Sequence, residues 1–256
     1  MERSQVRKYF KEFPKWAILF ILIGVIILYT QISGEAAAQG VVAGLLFMTV
    51  GILAIVLNVK GKPTDEQFDA FIEKDLESVK KEALSKLGID ESEVEADPDV
   101  ILGGELSSRS DCFVGRKKGK DKKFRQTPQT FLILNYTQNQ LVTYRCDLDL
   151  DTGKYLSPVT EEYFYKDIVS VKTKTEEIET VVKEPRKFIF FGGKKKKVKV
   201  NEEYFCLINS GGDSLKINIA SGKTTEELGE DTILPSKETA EKSLNNIRRM
   251  LRDKKA

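Results

Sequence analysis

Residues 16–32 read WAILFILIGVIILYTQI, and residues 40–59 read GVVAGLLFMTVGILAIVLNV. Neither stretch contains a charged residue, and each approaches the ~20 apolar residues that a helix needs to cross about 30 Å of hydrocarbon. A secretory signal peptide is the alternative for the first stretch, but a second apolar stretch of full length follows it at once. We therefore predict two membrane-spanning helices, joined as an antiparallel hairpin, within residues 1–62.

Basic residues lie before the first apolar stretch and after the second, but not between them. Five precede the first stretch and two follow the second, whereas residues 33–39 contain neither lysine nor arginine. The positive-inside rule then places both chain ends in the cytoplasm and the short connection outside. The expected location is the cell membrane, as a multi-pass protein with cytoplasmic N- and C-termini.

Small residues recur inside the apolar stretches. Ala36, Gly40 and Gly44 are spaced by four, and Gly24 lies in the middle of the first stretch. Such residues let helix backbones approach closely in lipid, either within the hairpin or between two copies of the chain, and we favour packing within the hairpin. Neither stretch holds an ionisable side chain, which favours an anchor over a transporter.

A strongly acidic connector, residues 63–99, follows the hairpin. Thr64 and Gln67 have the spacing of a capping box at the start of a helix, and Gly88 is a suitable end. The predicted apolar stripe of this helix could pack on the following domain or on a second copy of the chain. Residues 90–99, DESEVEADPD, are typical of an acidic linker. The stripe consists of Phe68, Ile72, Leu76, Val79, Ala83 and Leu87.

Short runs of β-branched and aromatic residues dominate residues 100–256. Turn-forming segments separate about seven such runs, which indicates antiparallel strands. A final amphipathic helix follows, with Ser236 as its expected N-cap and an apolar edge of Ala240, Leu244, Ile247 and Leu251. The predicted fold is an α+β membrane protein whose cytoplasmic domain is a small antiparallel barrel or sandwich with a C-terminal helix. The runs are VILGGEL, FLILNYT, QLVTYRCDL, EEYFYKDIVSVKT, RKFIFF, VKVNEEYFCLIN and SLKINIA.

This domain resembles the pleckstrin-homology-like superfold, particularly its membrane-associated bacterial versions. The resemblance rests on FLILNYTQNQLVTYRCDL, YFYKDIVSVKT, the hairpin YFCLINSGGDSLKINI and the terminal helix. It implies binding of phosphoinositides, other lipids, peptides or proteins, without catalysis. The sequence departs from the usual layout by a charged insertion at residues 172–187.

Residue composition excludes several kinds of catalytic and metal site. The chain contains no histidine, which removes histidine-dependent nucleophile systems and histidine-ligated metals. Its cysteines lack the CxxC spacing, and Cys146 and Cys206 lie in strand-like runs where buried packing is expected. GGELSSRS and NSGGDS lack the strand-to-helix context of a phosphate-binding loop. We predict no catalytic residues, no cofactor and no metal site, and hence no enzymatic activity.

The segment DLDLDTGKYLSP, which begins at Asp147, starts like a calcium-binding loop. Thr152 occupies the sixth position, where glycine is required, and Pro158 occupies the twelfth, where glutamate is required. In a strand, alternate aspartates would simply face one side and Leu148 and Leu150 the other. We therefore favour a solvated strand edge over a cation site.

Two basic clusters remain, and both are expected at hairpin tips. Lysines there can protect edge strands from aggregation, but several together can also dock a tethered domain on an anionic leaflet at about 1 kcal/mol each. Nucleic-acid binding is disfavoured because few aromatic residues lie among the basic ones. The candidate lipid- or partner-binding residues are Arg116, Lys117, Lys118, Lys120, Arg186, Lys187, Lys194, Lys195, Lys196, Lys197 and Lys199.

The leading interpretation is a non-catalytic, membrane-anchored cytoplasmic module that docks on anionic lipid headgroups or on a protein partner. The alternative is a structural or assembly protein that forms homo-oligomers through the helix at residues 64–87 and the transmembrane hairpin. The partners are then the bilayer, an anionic phospholipid, a protein or a second copy of the chain, and not nucleic acid.

Overall fold

The computed structural model describes residues 1–31, 37–103, 110–183, 195–221 and 235–255. By its internal contacts the chain separates into two compact units. The first, Met1–Phe71, is helical, and we call it the helical unit. The second, Ile72–Ala256, contains all the described strands, and we call it the β unit.

The helical unit is built from three complete helices and the beginning of a fourth. Among the described residues, the helix Gln39–Val59 is long and apolar enough to cross a membrane. The pair Arg3–Phe10 and Lys15–Thr30 would supply a second crossing if it forms one span, although it bends by 58° at its break. The helices are α1 (Val6–Phe10), α2 (Lys15–Gln31), α3 (Ala37–Val59) and α4 (Asp65–Leu87).

The predicted capping box begins α4. The Thr64 amide donates to the Gln67 side chain at 3.1 Å, and the Gln67 amide donates to the Thr64 hydroxyl at 3.3 Å. Two donors at the helix start are thereby satisfied. Gly88 follows the helix at a φ of +66°, a left-handed conformation that ends helices and favours glycine.

The apolar stripe of α4 is only partly as predicted. Phe68, Val79 and Ala83 are buried, whereas Ile72 and Leu76 are half-buried. Phe71 and Asp75, which directly precede Ile72 and Leu76 in the sequence, are buried instead. The buried face is therefore rotated slightly from the face predicted by hydrophobicity alone.

A four-stranded antiparallel sheet forms the first layer of the β unit. Its spatial order is β1 (Ala96–Gly103), β4 (Gln129–Tyr136), β5 (Gln140–Leu148) and β6 (Tyr155–Phe164). Because β1 already begins at Ala96, the predicted linker over residues 90–99 is too long at its C-terminal end.

The other described strands form two further antiparallel sheets. One is a hairpin of β2 (Gly115–Lys118) and β3 (Phe124–Thr127). The other has the order β7 (Ile168–Lys183), β8 (Lys195–Asn209) and β9 (Ser214–Ser221). The three sheets confirm an antiparallel α+β arrangement, whereas a closed barrel is not confirmed.

Several predicted strands have different bounds. A 3₁₀ turn at Tyr165–Asp167 divides EEYFYKDIVSVKT between two sheets. Residues 172–183 of the predicted insertion are instead a continuation of β7, paired with β8 as far as Lys183 opposite Lys195. The predicted strand RKFIFF lies outside the described residues.

The C-terminal helix, α5 (Pro235–Lys255), packs against the main core of the β unit. Its predicted edge is confirmed, since Ala240, Leu244 and Ile247 are buried and Leu251 packs beside them. The helix begins at Pro235, so the expected cap Ser236 lies within its first turn. Proline is well suited to that position because the first helical N–H has no partner in the helix.

The opposite face of the four-stranded sheet is also buried. Ile133, Val142 and Tyr144 are fully buried there, although they do not belong to the main core. Burial is the main cause of the raised pKa of the Tyr144 hydroxyl, and the Glu82 carboxylate of α4 adds to it, which indicates that this part of α4 lies near the same face. The buried Val79 and Ala83 of α4 agree with this arrangement.

Candidate binding surfaces

The outward faces of α2 and α3 form a continuous apolar surface. Of the 19 large hydrophobic residues exposed in the described chain, 17 lie between Phe13 and Val59. A soluble monomer rarely exposes so large an apolar patch, and one this extended marks a membrane or protein interface.

Glycines bring α2 and α3 together. A Cβ added to Gly24 would lie 2.6 Å from the Gly44 carbonyl oxygen, and one added to Gly51 would lie 2.7 Å from the Ala17 carbonyl oxygen. These separations are too short for any side chain, so the small residues permit close packing within the hairpin. Gly44 takes part as predicted, Gly51 was missed, and Ala36 lies outside the described residues.

Aromatic rings join the first and last helical segments of the helical unit. Tyr9 of α1 stacks on Phe68 of α4 with ring centroids 4.2 Å apart, and the Tyr9 hydroxyl donates to Asp65 at 2.9 Å. Phe10 meets Phe68 edge to face, and Arg3 lies over the Phe71 ring. The segments on either side of the two long helices therefore pack together.

A cleft of about 400 Å³ lies where the chain turns into α2, and we call it the basal cleft. Asn58 of α3 donates to the Glu12 carbonyl oxygen at 3.2 Å, and the Lys62 ammonium donates to the Lys11 carbonyl oxygen. These bonds fix the turn against the end of α3. The cleft is lined by Lys11, Glu12, Pro14, Trp16, Ala54, Leu57 and Asn58.

The first basic cluster lies on the β2–β3 hairpin. Arg116, Lys117 and Lys118 are half-buried in β2, not at the tip, while Lys120 is exposed at the turn. Each of these four already has an interaction partner within the protein. The turn itself also exposes Lys122 and Lys123, which the predicted site omitted.

An ion pair fixes the shape of this hairpin. Arg125 is buried, and its guanidinium donates to both carboxylate oxygens of Asp121, at 2.7 and 2.8 Å. The hydrogen bonds from Arg125 are the largest factor that lowers the pKa of the Asp121 carboxyl group to about 2. Arg125 is thus a structural residue, whereas the surrounding lysines present positive charge to solvent.

The described part of the second basic cluster lies at the start of β8. Lys195, Lys196 and Lys197 belong to the strand by their backbone, and Lys199 pairs with Glu177 of β7 at 2.6 Å. The Lys199 ammonium is therefore partly neutralised. Arg186, Lys187 and Lys194 lie outside the described residues.

The exposed face of the three-stranded sheet carries a mixed charge network that the sequence did not indicate. Lys216 of β9 lies 3.7 Å from the centre of the Tyr204 ring and pairs with Glu176 of β7. Lys174 pairs with the same glutamate at 3.0 Å, and Asn218 donates to Glu202 at 2.7 Å. Opposite charges balance within this surface, which makes it a poorer anion site than the β2–β3 tip.

The aspartate-rich segment leads from the end of β5 into a turn in which Asp149 is buried, so the prediction of a solvated strand edge is wrong at that residue. Asp149 is only 3% exposed and accepts hydrogen bonds from the Asp151 amide at 3.0 Å and the Thr152 hydroxyl at 2.6 Å. Asp147 accepts from Thr130 at 2.6 Å. No cluster suited to a metal ion occurs among the described residues.

A second buried aspartate ties α5 to the sheet. Asp99 of β1 accepts the Tyr136 hydroxyl at 2.5 Å and the Asn246 amide at 2.9 and 3.0 Å. Burial and then this hydrogen bond raise the pKa of the Tyr136 hydroxyl. The partners are 37 and 147 residues from Asp99 in the chain, so no local sequence pattern could reveal the group.

The cysteines are unreactive packing residues where they lie in strands. Cys146 and Cys206 are buried and free, which confirms their expected role. Burial raises the pKa of the Cys146 thiol to about 12 and raises that of the Cys206 thiol as well. Both thiols are protonated at neutral pH and cannot act as nucleophiles.

No protein-family model matches this chain, and comparisons with curated proteins and with solved structures find no similar protein. The resemblance to the pleckstrin-homology-like superfold therefore stays a prediction, and the candidate surfaces must be interpreted from their own chemistry.

Proposed function

We propose that the chain is a non-catalytic, membrane-anchored binding module. The helical unit would be the anchor, with α2 and α3 as two membrane-spanning helices and both chain ends in the cytoplasm. The β unit, with its pleckstrin-homology-like layout, would dock on anionic lipid headgroups or on a protein partner at the inner face of the membrane.

The observation that carries this proposal is the apolar surface of α2 and α3. The side chains that point outward from α2 and α3 are large and mostly aliphatic, whereas glycines occupy positions where the two helices contact each other. This is the arrangement expected in lipid, where helices gain nothing from hiding apolar residues and associate through close backbone packing. The contact between α1 and the start of α4 supports placing both ends of the hairpin on one side.

The β2–β3 tip is the better supported docking surface. Lys120, Lys122 and Lys123 are exposed there, on a hairpin whose shape the Arg125–Asp121 pair fixes. Each lysine near an anionic leaflet contributes about 1 kcal/mol to the binding free energy. Tethering to the membrane raises the effective concentration of the tip at the leaflet, so this weak attraction is sufficient for docking. The lysines at the start of β8 would contribute a second basic surface.

Hydrogen exchange of the full chain in bilayers tests the docking. We expect the amides of residues 119–123 to exchange more slowly in bilayers that contain anionic lipid than in neutral bilayers. Because salt screens the attraction, about 0.5 M salt should remove this difference in exchange rate. Replacing Lys120, Lys122 and Lys123 by glutamine should also remove the difference. The matched control replaces Lys242, Arg248 and Arg252, which are exposed on α5.

Equal exchange in neutral and anionic bilayers at low salt would overturn lipid docking and leave a protein partner as the ligand of the β unit. Assembly through α4 is less favoured, because Val79 and Ala83 are already buried within the chain. A stable oligomer that Leu76→Asp abolishes, measured by light scattering in detergent, would instead support the assembly role.

A further inference from the structure

We propose that the basal cleft binds a single phospholipid whose headgroup carries both a phosphate and a primary ammonium, as in phosphatidylethanolamine. This inference rests on the membrane placement in the proposed function. It adds a lipid-specific site in the anchor, separate from the docking of the β unit.

The charges of the cleft match a zwitterion. Lys11 and Glu12, one cation and one anion, are adjacent in its lining, and both residues are exposed. Lys11 can pair with the phosphate, and Glu12 can accept hydrogen bonds from the ammonium. A headgroup with only negative charge could still pair its phosphate with Lys11, but it would leave the Glu12 carboxylate without a cationic partner.

The backbone of the cleft is held in place before any lipid binds. Asn58 and Lys62 both donate to main-chain carbonyl oxygens of the Lys11–Glu12 segment. The side chains of Lys11 and Glu12 therefore remain available while their backbone is fixed. Such preorganisation reduces the entropy lost on binding.

The remaining wall of the basal cleft suits the glycerol region and the upper acyl chains of a bound phospholipid. Trp16 is 52% exposed, and Ala54 and Leu57 continue the lining along α3. Tryptophan favours the boundary between headgroups and hydrocarbon, and its ring face also attracts cations such as an ammonium. The cleft volume of about 400 Å³ lies within the range of ligand pockets.

Trp16 is the only tryptophan of the chain and therefore reports on this cleft alone. The full chain is reconstituted in phosphatidylcholine bilayers that contain a small fraction of lipid with brominated acyl chains, which quench tryptophan fluorescence on contact. Brominated phosphatidylethanolamine, phosphatidylglycerol and phosphatidylcholine are compared. We expect the ethanolamine lipid to reach half-maximal quenching at a mole fraction about fivefold lower than the choline lipid.

Glu12→Gln should abolish the preference for ethanolamine over both glycerol and choline headgroups, because it removes the acceptor of the ammonium. Lys11→Gln should retain that preference, because all three lipids share the phosphate that Lys11 contacts. Lys60→Gln and Glu73→Gln are matched controls, because they remove the same charges outside the cleft lining and should retain wild-type selectivity. Circular dichroism checks that each variant keeps its helices.

Equal quenching by all three lipids would overturn the headgroup site while still supporting the membrane anchor. A preference for phosphatidylglycerol would overturn the zwitterionic assignment. No quenching by any brominated lipid would mean that Trp16 does not contact acyl chains, and this result would overturn the membrane placement itself.

Discussion

In the helical unit the large apolar side chains of α2 and α3 point outward, whereas in the β unit they point inward between the sheets and α5. Leu53 is 57% exposed, and Phe205 is fully buried. The difference teaches that hydrophobic composition alone does not define a core. If α2 and α3 lie in a bilayer, as proposed, the difference has a physical cause: apolar side chains gain no free energy by leaving lipid, whereas their burial away from water is favourable.

The largest expected effect separates these two kinds of apolar residue. Phe205→Ala should destabilise the β unit by about 3–5 kcal/mol, because it leaves a cavity among the strands and α5. Leu53→Ala, its counterpart on α3, should change stability by less than about 0.5 kcal/mol. Hydrogen exchange of the full chain in detergent measures both. If Leu53→Ala lowered the free energy of unfolding as much as Phe205→Ala does, the outer face of α3 would have to be covered by protein.

The next effect concerns a buried carboxylate that joins distant elements of the β unit. Asp99→Ala should cost about 2–3 kcal/mol, because the Tyr136 hydroxyl and the Asn246 amide lose their acceptor. Faster amide exchange along α5 should accompany it. Asn245→Ala, an exposed neighbour on the same helix, is the control. Unchanged α5 protection would contradict a role for Asp99 in holding that helix.

Within the helical unit, close packing of small residues joins α2 and α3. Gly24→Val should destabilise the hairpin by about 1–3 kcal/mol, because a Cβ there meets the Gly44 carbonyl oxygen and Met48. The melting midpoint of Trp16 fluorescence in detergent is the measurement, and Val25→Leu on the exposed face is the control. Loss of a dimer without a change in the midpoint would assign the glycines to association between chains.

The smallest effect is a pH dependence confined to the β2–β3 hairpin. Because the folded pKa of Asp121 is lowered to about 2 from 3.8, the Arg125 pair stabilises the hairpin above pH 4 and ceases to do so as the pH falls towards 2. Asp121 is partly exposed, so the contribution is at most about 1 kcal/mol. Amide exchange of residues 119–123 in wild type and Asp121→Asn should differ at pH 6 and converge below pH 2. A difference that persists at low pH would contradict this origin.

Local patterns in the sequence were sufficient for elements whose partners are nearby. The uncharged stretches predicted α2 and α3, the Thr64–Gln67 spacing predicted the start of α4, and the apolar edge of α5 was correct at every position. Strand boundaries were less accurate, and β2 and β3 were missed. Their residues are mainly polar or charged, so β propensity gave no clear signal, and their pairing with each other defines the two strands.

The candidate sites depended more strongly on tertiary contacts. The sequence located the basic clusters, but Arg116, Lys117 and Lys118 proved to be half-buried in a strand, and Lys122 and Lys123 were overlooked. The basal cleft could not be predicted, since its lining comes from the turn before α2 and from the far end of α3.

The sequence by itself determined which regions are apolar over a whole helix length and which alternate with polar residues, because both are properties of composition and period. It also determined helix starts and ends, where the interacting groups are three or four residues apart. Only the tertiary structure decided which face of α4 is buried, that Asp149 is enclosed in its turn, and that Asp99 holds Asn246. Those outcomes depend on groups that the fold brings together from distant parts of the chain. Whether such groups are buried or form a hydrogen bond depends on their positions in space and not on their neighbours in the sequence.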